Sequence, residues 1–184
     1  MNLAARASSA ARAGFVLTVA AALFACGSTS NPNAGNPCPH LIPAPGADSI
    51  VLFGPGGGHD RKDVIIGGKV YSATATCTRE SVGLAVNAEI EFYAERANLL
   101  VKDTVFPYFV ALIDPQEHVL VQESYQVPIE FHPGESYRRT YAEKITIHLP
   151  VQNRAAATNY AVVIGFQLTP DQLAFNRSLA TRQQ

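Results

Sequence analysis

Residues 84–93 read LAVNAEIEFY. Leu84, Val86, Ala88, Ile90 and Phe92 are apolar, and Ala85, Asn87, Glu89, Glu91 and Tyr93 stand between them. Residues two apart share one face of an extended chain, whereas a helix brings together residues three and four apart. This stretch is therefore a strand with one face in a core and a polar face toward water.

The same period recurs on both sides. Tyr125, Val127, Ile129 and Phe131 alternate with Gln126, Pro128 and Glu130. Pro128 cannot donate to a ladder, which places this strand at an edge or a bulge. Tyr141, Ile145, Ile147 and Leu149 form one further strand, and Tyr160, Val162, Ile164, Phe166 and Leu168 the last. Residues 105–113, VFPYFVALI, are apolar on both faces and read as a central strand. Residues 64–77 are rich in Val, Ile, Tyr and Thr, with a bulge or bend expected at Gly67-Gly68. Ser49–Phe53 is a short first strand. Turn signals at 114–117, 132–135 and 152–159 separate these runs. Seven strands joined by short turns predict an all-β fold, an antiparallel sandwich of immunoglobulin or fibronectin type III kind, over residues 38–180. Thr169-Pro170-Asp171-Gln172 is a capping box that opens a short C-terminal helix to about Arg177. Leu173, Phe175 and Leu179 would let that helix cover one open end of the sandwich.

The composition suits one globular domain: 47% apolar and 16% charged residues, with 13 Gly and 12 Pro. Formal net charge is −1, and no basic stripe exists to neutralise phosphates, so nucleic acid is not an expected partner. Trp is absent and Met1 is the sole Met. Oligosaccharide stacking on indoles and Met-ligated metal are disfavoured accordingly.

The first 25 residues read as a signal peptide. Arg6 and Arg12 precede an apolar run from Ala13 to Ala25, too short for a bilayer core that takes about 20 residues. The run ends in Leu23-Phe24-Ala25-Cys26-Gly27, which resembles the lipobox of bacterial lipoproteins, with Phe24 bulkier than usual. Cys26 is then the lipidated residue, and acyl chains, palmitate among them, would anchor the protein to a membrane. Gly27, in place of the Asp that retains such proteins at the inner membrane, points to the outer membrane, with the domain in the periplasm. Residues 26–37 are the lipidated Cys and a flexible tether, GSTSNPNAGNP after Cys26. Cys38 and Cys77 remain as an even pair in an oxidising compartment, which reads as a disulfide. Because Cys38 precedes the first strand, the bond would staple the N-terminal segment to a strand without cross-linking the sheets.

Phe106-Pro107-Tyr108-Phe109-Val110, Val127-Pro128-Ile129-Glu130-Phe131 and Gly165-Phe166-Gln167-Leu168-Thr169-Pro170 through Leu173-Ala174-Phe175-Asn176-Arg177 resemble an uncharacterised proteobacterial lipoprotein family with an immunoglobulin-like β-sandwich domain. The likeness spans most of residues 38–177, including the early Cys-Pro and a second Cys at the end of the second strand. It implies an envelope lipoprotein and supplies no activity.

Catalytic patterns are few. Gly54-Pro55-Gly56-Gly57-Gly58-His59 misses both the P-loop and the dinucleotide fingerprint, since His59 stands where each needs Gly. His59, Asp60 and Asp63 could offer metal ligands, but a solvated loop explains them as well, and three converging ligands are needed. No Cys follows Cys77, against a cupredoxin-type site. No G-x-S-x-G or S-x-x-K occurs. Glu89 and Glu91 on one strand face would lie about 6.5–7 Å apart, a glycosidase-like spacing, although outward surface charge accounts for them more simply. No cofactor is expected. Leu99-Leu100-Val101, between Glu95-Arg96 and Lys102-Asp103, has two readings: it folds back on the core, or it forms an exposed contact loop for a partner or membrane. The function expected is a lipid-anchored envelope protein with a non-catalytic binding or scaffolding role toward another envelope protein. The alternative is a periplasmic hydrolase with a metal or carboxylate site assembled from distant residues.

Overall fold

The computed structural model describes residues 38–101, 103–142, 144–151 and 154–181. The signal peptide, Cys26 and the tether lie outside the described residues. Among the described residues, nine strands form two sheets. One sheet has the order β1 (His40–Pro43), β9 (Ala161–Phe166), β5 (Asp103–Ile113), β6 (Val119–Glu130). The other runs β2 (Ser49–Phe53), β3 (Val64–Arg79), β4 (Leu84–Arg96), with β7 (Tyr137–Tyr141) and β8 (Ile145–Leu149) both beside β4. A four-residue helix α1 (Arg154–Ala157) precedes β9, and α2 (Pro170–Thr181) ends the described chain.

The inward set of residues 84–93 is as read, whereas Ala85 and Glu91 of the outward set are also buried, where β4 pairs with β8 and β7. Leu84, Val86, Ala88, Ile90, Phe92 and Ala94 are all buried. They meet Phe106, Tyr108, Val110 and Leu112 of β5 and Val162, Ile164 and Phe166 of β9 in one core between the sheets. The Phe92 ring lies 4.9 Å from Tyr108 and 5.6 Å from Phe166. As expected, β5 is internal to its sheet and β6, with Pro128, is an edge.

Four features differ from the sequence reading. First, β1 adds a strand ahead of Ser49, pairing in parallel with β9. Cys38 therefore stands next to one sheet while Cys77 lies on β3 of the other, and their disulfide, with Cα atoms 5.7 Å apart, ties the two sheets together. Second, β3 is irregular at Tyr71 against β4 and at Ile65 against β2, and Gly67 and Gly68 pair in regular register with Val51 and Ile50. Gly68 is required by packing, because a Cβ there would overlap the Phe106 ring. Third, the strand expected across 141–149 is two strands: Glu91–Glu95 of β4 takes β7 and Leu84–Ala88 takes β8. Tyr141 lies opposite Glu91 on the outward face and is 69% exposed. Fourth, α2 runs on to Thr181 and sits against the edge strand β2. In a constant-type immunoglobulin domain the sheets read ABED and CFG; here the consecutive strands β2, β3 and β4 stand side by side.

Candidate functional site

The inward alternation of β4 does not stop at Ala94. Arg96 takes the next inward position, opposite Ile66, and is buried. A buried guanidinium needs acceptors for its fork of donors, and three loop carbonyls supply them. Nε donates to Glu135 O (2.7 Å), Nη2 to His132 O (3.0 Å) and Nη1 to Val101 O. The guanidinium also lies 4.7 Å from the centre of the Phe131 ring. Arg96 thus fastens two loops, 97–101 and 131–136, to the end of the sandwich.

What it fastens is the apolar triplet. Asn98 Oδ1 accepts from Leu100 N (2.9 Å) and Asn98 O from Val101 N (3.1 Å), which closes a tight turn. Val101 packs against the core, whereas Leu99 is 57% and Leu100 85% exposed. The triplet divides: Val101 is the foot, and the two leucines are an exposed tip. On the neighbouring loop, the Glu135 carboxylate accepts from His132 N (3.1 Å), and this bond, with His132 and Arg138 nearby, holds its pKa below the usual range. The period-two pattern continued one step past Ala94 marks Arg96 as inward. The pairs Glu95-Arg96 and Lys102-Asp103 on either side of the triplet read as a merely charged bracket.

The Cys38–Cys77 bond lies at the far end. Cys77 pairs with Val86 and Ile66 with Arg96; eleven residues of extended β3 between them span roughly 35 Å at about 3.3 Å each. Cys38, the first described residue, thus lies at the end of the domain opposite the leucine tip.

The Gly-rich loop closes on α2. Thr169 N donates to Gln172 Oε1 (2.8 Å) and Gln172 N to Thr169 Oγ1 (3.3 Å), the expected capping box. The residues of α2 that become buried are polar, Gln172 and Asn176, while Leu173, Phe175 and Leu179 are only half-buried. Gln172 Nε2 donates to Val51 O (2.7 Å), and Asn176 Nδ2 to Ser49 O (2.9 Å) and Gly46 O (3.0 Å). Positions four apart on a helix match carbonyls two apart on a strand, so α2 satisfies the free edge of β2. Beside it lies an open cleft of about 550 Å³ between residues 59–62 and the helix. His59 leans on Phe53 (ring centres 4.8 Å) and faces Asp171 (3.7 Å), while Asp63 Oδ2 accepts from Asp60 N (3.0 Å). His59, Asp60 and Asp63 do not converge, and among the described residues no group of three His, Cys, Asp or Glu is placed to hold a metal.

The outer face of the β3–β4–β7 sheet carries tyrosines and cations. Tyr93 and Tyr137 stack at 6.2 Å, Lys69 lies 5.2 Å from the Tyr93 ring, and Arg139 lies 3.8 Å from the Tyr71 ring and donates to its hydroxyl (2.6 Å). Burial and the hydrogen bond to Glu95 raise the Tyr93 pKa. Glu91 belongs to this network, accepting from Ser72 Oγ (3.1 Å) with Arg139 at 3.7 Å. Glu89 pairs separately with Lys144 (3.6 Å). The two carboxylates, each with its own partner, do not work as a facing pair.

Compared with known proteins, the chain matches no family model, no curated protein and no solved structure. Among the described residues no helix is long and apolar enough to cross a membrane.

Proposed function

We propose that this protein is a lipid-anchored component of the cell envelope, most simply of the outer membrane facing the periplasm, with a non-catalytic binding or scaffolding role. The observation that carries the binding role is the Leu99–Leu100 tip. Two leucines held out by a buried arginine are an arrangement whose exposure costs solvation and whose rigidity lowers the entropy lost on contact. The anchor reading rests on Leu23-Phe24-Ala25-Cys26 and the polar tether. Membership of the lipoprotein family resembled above fits the same reading. Its immunoglobulin-like label is kept as a statement of two-sheet architecture, with a strand order of its own.

Two variants test this in cells. Cys26→Ala should leave an unprocessed precursor or release the protein from membranes; mature protein still in the membrane fraction would contradict the anchor. Leu99→Ser with Leu100→Ser should remove a cross-linked envelope partner that the parent retains; an unchanged cross-link would contradict the tip.

A further inference from the structure

The four sheet borders are treated differently. The edge of β2 is covered by α2 through Gln172 and Asn176. The edge strand β1 has only four residues and follows the disulfide. β7 and β8 are five residues each. β6 is twelve residues long and pairs on one side only, with β5.

The backbone direction along β6 follows from β5. Pro107 O accepts from Gln167 N (2.9 Å), so residue 107 turns its backbone toward the β9 side. In an antiparallel ladder the N–H and C=O of one residue point the same way, and direction alternates along the strand. Gln126, opposite Pro107, thus points away from β5, as do Ser124 and Gln122, while Leu120 is bulged out of the register. Pro128 belongs to the same set, and its missing N–H falls on the free side. Among the described residues, no hydrogen bond outside the β5 pairing reaches the backbone of 120–128. Val119, Leu120 and Val121 on this strand are 55%, 46% and 45% exposed. A long bare edge with exposed apolar residues invites strand pairing unless it is blunted.

Beneath this edge the sandwich is open. Two adjoining hollows of about 320 and 130 Å³ lie between β6 and β8. Tyr125 borders both; Val127 and Ile145 line the first, and Val121, Leu112 and Ile147 the second. A row of unpaired N–H and C=O groups repeating every two residues is matched only by another extended backbone, and the hollows on the inner side, whose apolar walls are interrupted by Glu123, Lys144, Thr146 and His148, have room for its alternate side chains. We infer that β6 is a strand-addition site that takes an extended segment of a partner protein with apolar residues at every second position. This deepens the binding role proposed above and rests on it. A second copy of the chain fits less well. The pairing of two β6 edges that overlaps residues 120–126 fully sets Glu123 against its own copy, and like charges directly opposite destabilise a sheet.

The test selects phage-displayed random nine-residue peptides on the full chain in detergent, disulfide intact. Enriched peptides should carry apolar residues at alternate positions and bind at least tenfold more weakly to Gln122→Pro and Ser124→Pro. Those substitutions remove N–H groups the fold does not use, and Ser124→Pro besides them only the exposed bond from Gln167 Nε2 to Ser124 Oγ, so both variants should melt within about 2 °C of the parent. In the parent alone, the amides of Gln122, Ser124 and Gln126 should exchange freely, and at least tenfold more slowly with a selected peptide bound. Enrichment without alternation, or binding indifferent to both prolines, would overturn the proposal. So would amides already protected in the free protein, or a sharp fall in melting temperature. A parent dimer abolished by Ser124→Pro would overturn it in favour of self-association. Leu99→Ser with Leu100→Ser should leave peptide binding unchanged; loss there would assign binding to the tip instead. Failure of the anchor, read by fractionation of Cys26→Ala, leaves these outcomes unaltered.

Discussion

At one end of the sandwich a covalent bond joins Cys38 to Cys77 across the two sheets. At the other, a buried arginine gathers three loop carbonyls and leaves two leucines in water. The disulfide acts largely on the unfolded chain, by shortening a loop, and asks little of its surroundings. Arg96 acts only in the folded state, and only where Val101, His132 and Glu135 present their carbonyls. The first end is closed by chemistry that requires an oxidising compartment. The second is shaped, because a particular loop geometry is what the arginine stabilises. The difference teaches that the apolar tip is positioned by the core and is no accident of a loose loop.

The contrast can be broken at either end. Replacing both Cys38 and Cys77 by Ser reopens a loop with a sequence separation of 39. By the loop-entropy relation it should cost about 4 kcal/mol in chemical denaturation, with the 97–101 turn unaltered by NMR. Arg96→Met keeps much of the packing but leaves three carbonyls without their donor. A loss of about 3 kcal/mol is expected, together with faster amide exchange at Leu100 and Val101, an effect the cysteine variant should lack.

A pH titration sharpens the picture beside the β6 edge. Burial first, then the hydrogen bond from Tyr125 to Glu123 (2.5 Å), push the Tyr125 phenol up to about 12. The folded state therefore holds this proton through a range where the unfolded chain, with an ordinary value of about 10, releases it. The stabilisation is complete below pH ~10 and is lost as pH rises toward ~12. Ultraviolet titration should show a phenolate as late as about 12, and Glu123→Gln should bring it earlier. Smaller still, Gln172→Ala and Asn176→Ala should each cost about 1–2 kcal/mol and loosen α2 from β2, seen as faster exchange within the helix and an unchanged core.

Much of this architecture was written in period two. The inward residues of β4, the interior place of β5, the edge place of β6 with Pro128, and the capping box at Thr169 all follow from local pattern. What was hidden depends on partners distant in the chain. Gly67-Gly68 looks like a bend until Phe106 is seen to occupy the place of a Cβ at Gly68. The polar face of α2 looks solvent-directed until the free carbonyls of β2 are found beneath it. β1 is too short and too rich in proline to announce itself, and with it the cross-sheet nature of the disulfide was missed. Arg96 was legible in phase and obscured by type, since a charge beside Glu95 suggests solvent. At Leu99-Leu100-Val101, hydropathy alone could not divide the triplet between foot and tip.

The division of that triplet is the central claim, and one pair of readings on one variant tests it. Leu99→Ser with Leu100→Ser should melt within about 2 °C of the parent, because exposed positions away from packing change stability by less than about 0.5 kcal/mol, and should lose the cross-linked envelope partner. A fall of several degrees, as expected when buried leucines are truncated at a cost of about 2–5 kcal/mol, or full retention of the partner, would contradict the account.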